Sequence, residues 1–146
     1  MSFSGDIRNF AKDATEAHNK ITRAATLELF GGVVKSTPVG NPDLWQSPAP
    51  PGYVGGRARG SWQTAVGTPV EDDIDRIDPS GASALAEIEA NTPPGAGQQT
   101  YLVSNLPYIY ALEEGASSQA SPGAMVRKNV ARVQRIVKAA IAKFRV

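Results

Sequence analysis

The chain has 146 residues, no cysteine, and 15 Lys and Arg against 14 Asp and Glu. A chain of this length can bury one hydrophobic core without metals or disulfides, so residues 1–146 are expected to form a single domain. The composition excludes disulfides, zinc–thiolate sites and cysteine nucleophiles, and no apolar run approaches the roughly 20 residues that a membrane-spanning helix needs.

Residues 4–36 are predicted to form one long helix. Ile7 and Phe10 begin an apolar stripe at helical period, and no proline intervenes before Pro38. Such a helix is roughly 45 Å long, so part of it is expected to rest on something outside the monomer. Its C-terminal end is apolar on two sides and is expected to be buried under a sheet. His18, the only histidine, lies on the stripe and is expected to be a packed core residue rather than a ligand or catalyst.

Residues 38–60 are predicted to form a Pro/Gly-rich arm or loop. Trp45 and Tyr53 are its only aromatic residues. The alternatives are a disordered spacer and an arm that reaches a neighbouring subunit through these two side chains, and we favour the arm because spacers are poor in such residues. Arg57 and Arg59 are expected to flank a sheet edge and to join the interface. The glycines around them lack the strand and Lys-Ser/Thr ending that a phosphate loop requires.

Strands are predicted near residues 60–77 and 100–104, with a helix at about Ala82–Ala90 between them. A short helical segment follows at 108–112 and is expected to stop at Gly115 in a left-handed cap conformation. The acidic run over residues 71–78 lacks the glycine and the closing glutamate of a calcium loop. We therefore expect a solvated edge there and no metal site.

The last predicted element is an amphipathic helix over about Pro122–Phe144. Its apolar seam is expected to face the core and contains Val126, Val130, Val133, Val137, Ile141 and Phe144. Basic residues cover the opposite face. The fold class predicted from all these elements is α+β, a small antiparallel sheet packed by the long N-terminal helix and the C-terminal helix.

Charge is unevenly distributed along the chain. Residues 71–114 carry nine acids and one base, whereas residues 115–146 carry seven bases and no acid. The two blocks either neutralise each other internally or pair head to tail with another copy, and we expect the second arrangement. The charged residues expected at the subunit boundary are Asp72, Asp73, Glu113, Glu114, Arg132, Arg135 and Lys138.

Two motifs occur in a fixed order and together span most of residues 25–135. The upstream motif is Thr37-Pro38-Val39 followed by Gly56, Arg57 and Arg59-Gly60-Ser61-Trp62. The downstream motif comprises Asn105, Pro107, Tyr108, Leu112, Glu113, Gly115, Gln119, Ala120, Gly123, Met125 and Val126. In this order the chain resembles the neck and tail-completion proteins of long-tailed bacteriophages, the small head–tail joining family.

The resemblance implies a structural virion protein that is made in the host cytoplasm and forms a ring, a hexamer by analogy with the family. The implied partners are other neck and tail proteins, such as head-closure, tail terminator or tube proteins, with non-specific contact to DNA in the channel. We expect structural roles for the motif residues Pro38, Trp62, Asn105, Pro107, Tyr108, Gly115 and Met125.

Two other classes of function are weighed against this one. A nucleic-acid-binding module would use the basic C-terminal helix against phosphates. An enzyme is not expected, because the sequence shows no Ser-His-Asp order, metal cluster or cofactor loop, and no cofactor is predicted.

Overall fold

The computed structural model of the chain describes residues 2–40, 49–95, 97–115, 119 and 121–145. The fold is α+β, as predicted, and the elements in chain order are α1 (Phe3–Ser36), α2 (Arg57–Gly60), β1 (Trp62–Val66), α3 (Ala82–Asn91), β2 (Thr100–Ser104), α4 (Ile109–Glu113), α5 (Val126–Ala131) and α6 (Val133–Phe144). Within the described ranges β1 and β2 form an antiparallel pair, with Trp62 opposite Ser104 and Val66 opposite Thr100.

The hydrophobic core lies where the C-terminal end of α1 meets β1, α3 and the residue before α5. Val34 and Met125 are completely buried, and Ile88 of α3 and Trp62 of β1 pack into the same cluster. The predicted burial of the end of α1 is therefore confirmed. Burying such side chains contributes about 1.5–3 kcal/mol each, so this cluster holds the helices to the sheet.

Several predicted elements are confirmed within a residue or two. The long helix covers Phe3–Ser36, the middle helix covers Ala82–Asn91, and the second strand covers Thr100–Ser104. Ser2 rather than Ser4 caps α1, because its hydroxyl accepts a hydrogen bond from the backbone N–H of Gly5 at 3.1 Å. A small polar side chain satisfies a free N–H at either position, so periodicity alone does not fix the first residue.

The predicted strand region near residues 60–77 is only partly correct. β1 ends at Val66, and residues 70–77, all of which the structure describes, form no strand. Side chains hold this segment instead: the Asn105 amide donates to the carbonyls of Val70 (2.9 Å) and Asp72 (3.2 Å). These bonds satisfy backbone groups that a sheet ladder would otherwise pair.

The C-terminal helix departs from the prediction in two ways. It begins at Val126 rather than Pro122 and is divided at Arg132 into α5 and α6. The seam faces the core only in part, because Asn129, Ile136 and Ala140 are the buried residues of these helices. Because α5 and α6 pack against α1, these three residues rather than the valine seam are covered by the rest of the chain.

The N-terminal half of α1 lies outside the core. Phe3, Ile7 and Phe10 are 81%, 53% and 65% exposed. The prediction that His18 is a packed core residue is wrong, because His18 is exposed. The large apolar side chains of its first turns are therefore left mostly exposed, whereas from Asp13 onward α1 lies beside the C-terminal end of α6.

Candidate functional site

The upstream motif forms a junction between the end of α1 and β1. The Trp62 indole N–H donates to Oγ1 of Thr37 at 2.8 Å, and that hydroxyl donates to the Val33 carbonyl at 2.8 Å. The Arg59 guanidinium donates to the carbonyl of Thr37 at 2.8–3.0 Å and to that of Pro79 at 2.8 Å. Arg59, predicted to lie at a subunit interface, therefore caps α1 within its own chain.

Glycines bring this junction together. A Cβ on Gly60 would overlap the carbonyl group of Arg76, and a Cβ on Gly56 would lie 2.7 Å from the Cα of Pro79. Arg76 in turn donates to the Trp62 carbonyl at 2.7 Å and pairs with Glu87 at 2.6 Å. The glycines of this run thus allow close backbone packing, a local role that fits the rejection of a phosphate loop.

The downstream motif forms a second junction, centred on Glu113 at the end of α4. Its carboxylate accepts hydrogen bonds from the backbone N–H groups of Met125 (3.1 Å), Val126 (3.2 Å) and Arg127 (3.0 Å). These N–H groups belong to the N-terminus of α5, where a negative charge is favourable. Glu113 therefore caps the N-terminus of α5 within its own chain. It had been predicted to lie at the subunit boundary.

The predicted cap at Gly115 is confirmed. Gly115 has φ +91°, a left-handed conformation, and a Cβ there would lie 2.6 Å from Cγ of Pro122. The other downstream predictions have mixed outcomes. Met125, for which a structural role was expected, is completely buried, and Pro107 lies in the turn that follows β2, whereas Tyr108 is half-exposed rather than packed.

Many of the charges pair inside the chain. Arg57 contacts the carboxylates of Asp73, at 2.7 Å, and Asp75. Arg127 contacts Glu114 at 3.2 Å, so a base of the C-terminal block meets an acid of the middle block within one protomer. Part of the acidic and basic charge is therefore neutralised by ion pairs within one chain, which is the arrangement that we did not favour from the sequence.

The remaining residues predicted at the charged boundary are Asp72, Arg132, Arg135 and Lys138. Arg132 lies 3.6 Å from Glu28 of α1, on the same chain. Asp72, Arg135 and Lys138 are exposed, and none of the three forms an ion pair within the described ranges. Of the residues predicted at the charged boundary, these three are free to contact a neighbour.

A cavity of about 660 Å³ lies beside the upstream junction, and we call it the tyrosine pocket. Its lining includes Pro38, Tyr53, Arg57, Ile77, Tyr108 and Leu112. Burial raises the pKa of the Tyr108 hydroxyl above its ordinary value of 10.0, and the nearby Arg57 partly offsets this. Tyr53 lines this pocket within its own chain, whereas Trp45, the other aromatic residue of the predicted arm, lies outside the described residues.

A second cavity, of about 630 Å³, lies between α1, the segment after α3, and α6; we call it the α1–α6 groove. Its apolar lining includes Ile21, Phe30, Pro93, Val133, Val137 and Ile141. The groove was not predicted from the sequence, because the whole valine seam was expected to face the core. The sequence signal for it is the small residue Ala140 beside the seam, which is buried where α6 packs against α1.

In the described residues, no group of three or more His, Asp or Glu side chains could hold a metal ion. Nor does any helix in these ranges have the length and apolarity to cross a bilayer.

No protein-family model, curated protein or solved structure matches the chain. Function is consequently inferred from the two junctions, the exposed charges and the two apolar cavities.

Proposed function

We propose that the protein is a structural virion protein of the neck or tail top of a long-tailed bacteriophage. In this role its copies form a ring, a hexamer by resemblance, that joins the head connector to the tail. The observation that carries the proposal is that residues of the two motifs, scattered between positions 37 and 126, meet in two hydrogen-bonded junctions. Thr37 bonds to Trp62 and Glu113 bonds to Val126, so the resemblance rests on residues that hold the fold together.

The exposed surfaces support an assembly role. Monomeric soluble proteins rarely expose large apolar patches, and such patches usually mark contact sites. Within the described residues, apolar side chains are exposed on the first turns of α1, and apolar residues line the tyrosine pocket and the α1–α6 groove. A ring subunit needs one surface for each lateral neighbour and others for the proteins above and below it. The proposed role is structural, with no catalytic residue and no cofactor.

Electron microscopy of phage particles tests the proposal. An antibody raised against the purified protein should label the joint between head and tail on intact particles. Native mass spectrometry of the purified protein, alone and mixed with isolated tails, should show a closed oligomer that binds the tail end. Label on the capsid or the tail tip, or absence of the protein from purified particles, would contradict the proposal.

A second candidate function is binding of nucleic acid. It is favoured by the exposed bases Lys128, Arg135, Lys138, Lys143 and Arg145 of α5 and α6, a stretch that contains no acid. Binding that neutralises phosphates weakens steeply as salt rises. Titration of random duplex DNA at low and at high salt tests this function, and no binding at low salt would exclude it.

A further inference from the structure

We propose that the first turns of α1 from one copy of the chain dock in the α1–α6 groove of the next copy. The inference rests on the proposed ring, for which it supplies the lateral contact. The two surfaces are the N-terminal stripe, formed by Phe3, Ile7, Phe10 and Ala14, and the groove, with Val133, Val137 and Ile141 at its edge.

The apolar residues on the two surfaces have matching spacing. In the N-terminal stripe, Phe3, Ile7, Phe10 and Ala14 span 11 positions of helix. On α5 and α6, Val130, Val133, Val137 and Ile141 also span 11 positions, and Val130 and Ile141 are 53% and 43% exposed. Residues three and four apart share one face of a helix, so each surface is a narrow apolar row of the kind that packs against another helix.

The stripe cannot reach the groove of its own chain. Both belong to α1, which is continuous from Phe3 to Ser36. Ile7 lies in the stripe and Ala25 lines the groove, and at 1.5 Å per residue they are about 27 Å apart along the helix axis. Only another molecule can bring a stripe to this groove.

Charge favours a contact between unlike surfaces. Successive helical residues are rotated by about 100°, which places Asp6 and Asp13 beside the N-terminal stripe and Arg8 and Lys12 on the opposite face. The same geometry places Lys138 and Arg145 beside the exposed valines of α6. With the two apolar rows in register, Lys138 lies near Asp13 if the helices are parallel and opposite Asp6 if they are antiparallel, so one acid meets a base in either orientation. A contact between two copies of α6 would instead bring bases together, which is unfavourable.

The contact is heterologous, because a stripe meets a groove rather than another stripe. Each subunit offers one of each, so repetition of the contact gives a ring or an open filament. This prediction differs from that of a symmetric dimer, in which two stripes pair with each other. The difference allows the contact to be tested by mixing variants.

Two double variants each remove one side of the contact. The stripe variant carries Ile7→Ser and Phe10→Ser, and the groove variant carries Val133→Ser and Ile141→Ser. All four side chains are at least one third exposed, so both variants are expected to fold, as circular dichroism and thermal melting would verify. The matched control for α1 carries Arg8→Ser and Lys12→Ser, and the control for α5 and α6 carries Ala131→Ser and Ala142→Ser. These are exposed residues that lie away from the N-terminal stripe and from the groove.

Sedimentation of each variant alone and of equimolar mixtures gives the result. We expect the dissociation constant of each variant alone to rise by at least about tenfold, because each loses two apolar side chains that the proposed contact would bury. The controls should assemble like the wild type. Mixing the stripe and groove variants should restore a one-to-one complex, since one intact stripe then meets one intact groove. Loss of association in the stripe variant only, without complementation, indicates a symmetric α1 contact and overturns the inference.

Cross-linking gives an independent measurement, because the chain has no cysteine of its own. Chains with Ile141→Cys should form a mixed disulfide dimer on oxidation with chains carrying Ala14→Cys if the helices are parallel, or Phe3→Cys if they are antiparallel, whereas Lys12→Cys should not pair with Ile141→Cys. If both serine variants assemble like the wild type, this contact is wrong and a ring built from other surfaces still stands. A wild type that stays monomeric also contradicts the contact, and particle labelling then decides the proposed function separately.

Discussion

The two ends of α1 differ in their surroundings although they belong to one helix. At the C-terminal end Val34 is completely buried, and Thr37 and Arg59 satisfy the last carbonyl groups. At the N-terminal end Phe3 and Phe10 are mostly exposed. Only the last turns of α1 enter the hydrophobic core. The first turns carry apolar residues that lie outside this core and that the proposed contact would cover.

Substitutions at the packed end should therefore lower the free energy of unfolding, and substitutions at exposed surfaces should affect assembly alone. The largest loss is expected for Gly115→Val. The left-handed conformation and the contact of the new Cβ with Pro122 together cost about 2–4 kcal/mol. Urea unfolding measures the loss. Gly67→Val is the control, since Gly67 has φ +84° but open space around it, and an equal loss in both variants would refute the packing argument.

A smaller loss is expected for Glu113→Ala. The substitution leaves the N–H groups of Met125, Val126 and Arg127 without their acceptor, at a cost of about 1.5–3 kcal/mol. Glu114→Ala is the matched control, because Glu114 is exposed and makes one surface ion pair, worth about 0–1 kcal/mol. Equal melting temperatures for the two variants would show that Glu113 does not cap α5.

Deletion of residues 43–54 should change stability little and impair assembly. The chain ends on either side of the loop already meet, because a Cβ on Gly55 would lie 2.6 Å from the carbonyl oxygen of Gly40. Circular dichroism and native mass spectrometry of the deletion variant measure folding and assembly separately. An unfolded variant would place this segment, including Tyr53, in the core and reject the arm hypothesis.

The smallest effect on stability is expected for Arg135→Glu with Lys138→Glu. Both side chains are exposed, so the free energy of unfolding should change by less than about 0.5 kcal/mol. If the bases contact acids of a neighbour, the variant and high salt should both weaken the ring. A ring that withstands charge reversal but no longer retains DNA would instead place these bases in the channel.

The sequence by itself determined the elements whose cause is local. Apolar residues repeating with a period of 3.6 predicted α1 and α3. Alternating apolar residues and β-branched residues predicted the two paired strands, and Gly115 predicted a left-handed cap. These signals lie within a few residues of one another, so the pattern is sufficient. The division at Arg132 has no comparable local signal, and the helix start at Val126 depends on a carboxylate 13 positions earlier.

The tertiary structure alone decided which side of each helix is covered and which charges are satisfied. The apolar residues of α5 and α6 occupy more of the helix surface than α1 covers. The residues on the buried side are Asn129, Ile136 and Ala140. Arg59 and Glu113 were predicted at an interface by charge, yet each binds backbone groups brought close by the fold. The period of the apolar residues indicates which face of a helix is apolar. Only the packing of segments that are distant in sequence determines whether the chain itself or another molecule covers that face.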